Sequence, residues 1–138
     1  MNTVGERTPV GPILIGGMVA VVVFDAVGSA ASKQLGFSYG LLIPGSLVIY
    51  GVVAGLVARR RDWHLGLFAA LAMALTDLTL GWAVSWIIGP GKPVGGLTAA
   101  LIIGAVMTAF VGAGIAGSVG AWVGVRRPSG GSGASPAA

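Results

Sequence analysis

The chain has no cysteine, a single histidine and very little charge: 9% of its 138 residues are Asp, Glu, Lys or Arg. Without cysteine there is no disulfide, thiolate metal site or cysteine nucleophile. With only His64 present, no second imidazole or thiol completes a ligand set, so neither a metal nor a cofactor is expected. Soluble domains carry about 25% charged residues; a water-soluble fold of this size would lack the charge to cover its surface. The few charges are also segregated. None falls between Lys33 and Arg59, between Asp62 and Asp77, or between Lys92 and Arg126.

What fills those gaps is apolar. Hydrophobic residues make up 55% of the chain and the mean hydropathy is +0.93. Uncharged runs of roughly 18 or more such residues read as transmembrane helices. Four are predicted, over about residues 13–32, 40–58, 65–88 and 97–123, giving an all-α integral membrane protein with a four-helix bundle in residues 12–125. The order of the helices allows two tandem hairpins. Pro12 and Pro44 fall in first turns, where proline does not break a helix. The sequence IGPGKPVGG from Ile88 to Gly96 is a turn-rich connection. Residues 1–11 form a polar N-terminal segment, and residues 126–138 have the composition of a flexible, solvated tail. The first apolar run ends near Ser29-Ala30-Ala31, in outline like a signal peptide. The preceding segment has no net positive charge and Asp25 follows the run directly, so retention as a first helix is the expectation.

The basic residues give an orientation. Arg7, Arg59, Arg60, Arg61, Arg126 and Arg127 fall on one side of a four-span chain, and only Lys33 and Lys92 on the other. That bias places both termini in the cytoplasm. Arg outnumbers Lys, which suits a GC-rich bacterial genome and a bacterial cytoplasmic (plasma) membrane. The basic clusters form no single patch, so nucleic acid is not an expected partner. Their roles are topology and contact with anionic lipid, at about 1 kcal/mol per basic residue.

Small residues predict the packing. In the fourth span Gly96, Gly104, Gly112, Ala116, Gly120 and Gly124 belong to a column at four-residue spacing, with Gly51 and Gly55 of the second span as a candidate mate. Small residues at this spacing let backbones approach closely. The column drifts about 40° per step around a 3.6-residue helix, so different neighbours are expected at its two ends. A homo-oligomer or another membrane-protein partner is expected on the same grounds.

Two acids lie inside the apolar spans. An acid at the centre of a bilayer costs about 2.5–3.5 kcal/mol on insertion scales, so Asp25 and Asp77 need an explanation. Both lie about 18 Å from the inner ends of helices that run the same way, which puts them at similar depth. Helical periodicity sets Asp77 on a face with Gly66, Ala70, Met73, Ala74, Gly81 and Val84, and Leu78, Trp82 and Trp86 on the opposite, lipid-facing side. Two readings follow. A protonated Asp can hold helices together by hydrogen bonds worth about 0.6–2 kcal/mol, which makes the chain a non-enzymatic accessory or assembly component. Alternatively the acids form a proton or cation site, completed by Ser46, Tyr50 and Thr108, in a small transporter or channel. The packing reading ranks first on sequence alone. Intramembrane aspartyl proteases pair their acids in Tyr-Asp and Gly-x-Gly-Asp contexts; here the contexts are Phe24-Asp25 and Leu75-Thr76-Asp77. No catalytic residue is assigned.

Overall fold

Glycines, prolines and two capping side chains mark several of the helix ends. In the computed structural model, which describes residues 9–89 and 95–126, α1 (Gly11–Leu35) carries its proline in the first turn. It stops at Gly36, whose left-handed φ of 72° lets its N–H reach the Ser32 carbonyl. A 3-10 turn, Tyr39–Leu42, leads into α2 (Ile43–Arg60). Asp62 then caps α3 (Trp63–Thr76) by accepting the Leu65 N–H at 2.9 Å. A π turn over Asp77–Gly81 connects α3 to α4 (Trp82–Ile88), and Gly89 ends that span. Thr98 accepts the Leu101 N–H at 3.2 Å and opens α5 (Ala99–Arg126). Among the described residues all regular structure is helical. Arg127, Lys92, the first eight residues and the tail from residue 127 lie outside the described residues.

Among the described residues four stretches are long and apolar enough to cross a membrane: Gly11–Leu35, Tyr39–Arg60, Trp63–Ile88 and Ala99–Arg126. The shortest, 22 residues, spans about 33 Å against a hydrocarbon core of about 30 Å. Each begins or ends within a few residues of its expected bounds. The capping groups Asp62 and Thr98 set two of the starts.

The contacts fix the relative directions. Gly17 packs near Met73, Asp25 near Gly81, and Lys33 donates to the Ile88 carbonyl at 3.0 Å. α1 and the third span therefore run parallel. Leu47 meets Gly112, Gly51 meets Ala116, and Gly55 meets Gly120, so α2 and α5 also run parallel. The two hairpins thus pack with like helix against like. α2 and α3 touch across the middle, while α1 and α5 are not neighbours.

The α2–α5 seam is a backbone-to-backbone contact. A Cβ on Gly55 would stand 2.8 Å from the Gly120 carbonyl oxygen, and one on Gly51 3.2 Å from that of Ala116. Gly112 packs under Leu47. Gly104 differs from the expected seam: nothing lies within 4 Å of where its Cβ would be. The reason is the predicted drift, which carries the column off α2 toward the helix start. The first half of α5 is exposed almost throughout, including Ile103, Met107 and Val111. The core beneath consists of Val21, Tyr50, Val53, Val57 and Met73 with alanines between them.

Candidate functional site

Asp25 and Asp77 enter the same site from parallel helices. Each lies fourteen residues from the start of its span, Gly11 or Trp63, or about 21 Å along the axis. Their carboxyl groups are neighbours. Gly81 makes room for them: a Cβ there would collide with Asp25 Oδ2 and would sit 2.6 Å from Asp77 Oδ1. Those two oxygens therefore share one small space beside a bare α-carbon.

Each acid has its own phenol. Tyr39 Oη donates to Asp25 Oδ1 at 3.3 Å, and Tyr50 Oη donates to Asp77 Oδ2 in a short hydrogen bond. Asp25 is 1% exposed, and the neighbour of its Oδ2 is the Asp77 carboxyl, with which it shares a hydrogen bond when one of the two acids is protonated. Ser85 is fully buried beside the Tyr39 hydroxyl, and the fully buried Ser29 hydroxyl has no partner. No Lys or Arg stands near. Every described basic residue lies close to a helix end. Two carboxyl groups side by side away from water need a compensating positive charge, a proton or a cation.

The site opens onto a cavity of about 270 Å³ whose wall includes both acids, both tyrosines and Ser46. Leu42, Leu47, Leu78 and Trp82 make much of the rest. Thr108 is part of the lining but is exposed, and stands at the rim with Gly40 and Ile43. Of the five residues expected at the site, Asp25, Asp77 and Tyr50 are in contact, Ser46 is buried in the wall, and Thr108 makes no bond to the acids. The residues expected for packing, Gly51, Gly55, Gly112, Ala116 and Gly120, lie together in the α2–α5 seam away from the acids. Gly104 does not join them. Arg59, Arg60 and Arg126 are exposed at helix ends, Arg61 is half-buried, and Arg126 lies 3.7 Å over the Trp122 ring.

Sequence reasoning missed Tyr39, which it left in the connection between the first two spans. It also missed the turn at Asp77. There Trp82 donates its N–H to the Asp77 carbonyl, five residues back. The extra residue resets the helix face. Ser85, not the expected Val84, is buried, and Leu78 and Trp82, expected to face lipid, line the cavity instead. Threonine is the detectable signal. Thr76 donates to the Ala72 carbonyl at 2.9 Å, and Thr79 donates to those of Leu75 and Thr76 at 2.8 and 3.2 Å. Such back-bonding competes with the helical ladder and often bends it.

Comparison with protein-family models, with curated proteins and with solved structures finds no match for this chain.

Proposed function

We propose that this chain is a small, non-enzymatic membrane protein, with both termini cytoplasmic, that moves protons or a cation through the Asp25–Asp77 pair. The observation that carries this reading is two acids brought side by side, with no base near, in the wall of a cavity. A carboxyl group kept only for packing needs one neutral partner on a neighbouring helix, not a second acid, and need not border open space. Intramembrane acids in water-accessible cavities are the usual elements of ion and proton pathways. The test is flux in proteoliposomes under a pH gradient, run with and without a monovalent cation on the opposite side. We expect proton movement that Asp77→Asn abolishes while far-UV circular dichroism and detergent-phase mass are unchanged. Flux equal to that of empty liposomes refutes the reading, as does full activity in the variant.

One observation favours a second reading, an assembly role. The first half of α5 presents Ile103, Met107 and Val111 with no helix beside them. A homo-oligomer or a membrane-protein partner seated there would cover this half-helix. Native mass spectrometry from nanodiscs reports the copy number directly, and a monomer without bound partners counts against it.

A further inference from the structure

The proposed function leaves the cation unnamed, and the cavity carries that choice further. We propose that it binds a small organic monocation, an ammonium group on an apolar body, seated in the cavity beside Asp25 and Asp77 in exchange for the proton the pair holds. This rests on the acid pair being an exchange site.

Four features select this chemistry. The first is charge: the lining holds two acids and no base, which excludes anions. The second is donor number. Calcium takes six to eight oxygens and magnesium a near-ideal octahedron. No group of three or more Asp, Glu, His or Cys exists among the described residues, and most of the wall is hydrocarbon. A bare calcium or magnesium ion would be poorly coordinated here. The third is size. A volume of about 270 Å³ equals the liquid share of about nine waters, far more than one ion occupies. It is also just under the ~300–1,000 Å³ of drug-sized sites, so the body must be small. The fourth is the wall itself. Leu42, Leu47 and Leu78 offer apolar contact, and Trp82 brings the indole that best attracts ammonium groups. The Asp25–Asp77 carboxyl pair in that wall supplies the counter-charge.

The exchange balances without any other reactant. One monocation enters, one proton leaves the carboxyl pair to water, and the charge of the site is unchanged. No covalent bond is made or broken.

The test uses the full chain in nanodiscs, with benzyltrimethylammonium as the probe because its charge does not vary with pH. Neopentylbenzene, its uncharged carbon isostere, and empty nanodiscs are the controls. We expect a saturable change in tryptophan fluorescence and release of about one proton per cation bound, read by an indicator dye in weak buffer. The apparent Kd should rise as the pH falls, by up to about tenfold per unit, the limit for one-for-one competition. Asp77→Asn and Asp25→Asn should each abolish proton release and weaken binding about tenfold or more. Leu78→Trp, which fills the cavity and keeps both acids, should also abolish binding, and this keeps the test decisive if an Asn variant fails to fold. Absence of saturable binding up to about 1 mM overturns the proposal. So does equal proton release by sodium or potassium, or by neopentylbenzene. The two readings fail separately. If Asp77-dependent proton flux persists in liposomes while the ammonium does not bind, the cation class is wrong and the exchange site stands; if Asp77→Asn leaves flux intact, the exchange site itself falls.

Discussion

Gly120→Ala and Gly104→Ala are the same chemical change in the same helix, and the structure gives them opposite signs. In each case Ala gains about 0.5–1 kcal/mol over Gly in a helix interior, because the glycine backbone loses more freedom on folding. At Gly104 nothing lies within 4 Å of the new methyl group, so that gain stands alone. At Gly120 the methyl would lie 2.6 Å from the Gly51 carbonyl carbon and 2.8 Å from its Cα, with the carbonyl oxygen nearer still. Carbon atoms pack at about 3.5–4.0 Å, and neither partner is a side chain that can rotate aside. The two helices must separate by about 1 Å, which also opens the contacts at Gly51–Ala116 and Gly55–Gly124. Overpacking of this kind costs typically about 1–3 kcal/mol, occasionally more. Against the helix gain, Gly120→Ala should destabilise by about 1–2 kcal/mol, while Gly104→Ala is neutral or stabilising by up to about 1 kcal/mol. The assay is reversible unfolding in mixed micelles of rising SDS fraction, followed by circular dichroism. If Gly120→Ala unfolds at the same SDS fraction as Gly104→Ala, α2 and α5 do not meet backbone to backbone, and the parallel pairing argued from that seam fails.

Four further substitutions address the site and the α3 cap. Gly81→Ala drives a methyl group between the two carboxyls, and should cut Asp77-dependent proton flux at least tenfold while circular dichroism stays native; an unchanged flux would mean the acids need not adjoin. Tyr50→Phe removes a hydrogen bond to a carboxyl group and should cost about 1.5–3 kcal/mol. Tyr39→Phe, which loses a bond of 3.3 Å, should cost less in the same SDS titration; the reverse order would contradict the assigned partners. Asp62→Ala removes the α3 cap and should cost about 0.5–2 kcal/mol with no change in flux, and a stability equal to the parent would show that the Leu65 bond contributes nothing.

The four spans and the pairing of two acids at one depth were legible in the sequence because they follow from counting. Charge-free length gives the spans, and equal distance from parallel helix starts gives the depth. The meeting of Gly51 and Gly55 with Ala116 and Gly120 was legible for a similar reason, since close backbone approach leaves a mark in residue size. Other features depend on angles that counting does not fix. Val84 and Ser85 exchange places because one extra residue in the turn rotates everything after it. Tyr39 reaches Asp25 because the 3-10 turn Tyr39–Leu42 folds the connection back against α1, and no periodicity describes a turn of four residues. Gly104 stands open because the drift of a four-residue column, though foreseen, leaves its neighbour undetermined.

The turn at Asp77 also bears on why an acid sits in this span at all. In an apolar surround an unsatisfied backbone group costs several kcal/mol, so a π turn there requires compensation. The Thr76 and Thr79 hydroxyls supply it by bonding to the carbonyls of Ala72, Leu75 and Thr76. An aspartate kept only to staple two helices needs none of this, since a regular helix presents a side chain to its neighbour equally well. The turn does two things that a staple does not require: beyond it, Trp82 stands in the cavity wall and Ser85, not Val84, is buried. Irregular turns of this type occur frequently at functional sites. Here the turn holds Asp77 and Gly81, which meet Asp25, and Leu78, which lines the cavity. Restoring a regular helix would rotate Trp82 and Ser85, which follow the turn, away from their places at the site. The cost of the acid and the cost of the turn therefore have one explanation, and it is the site they build together.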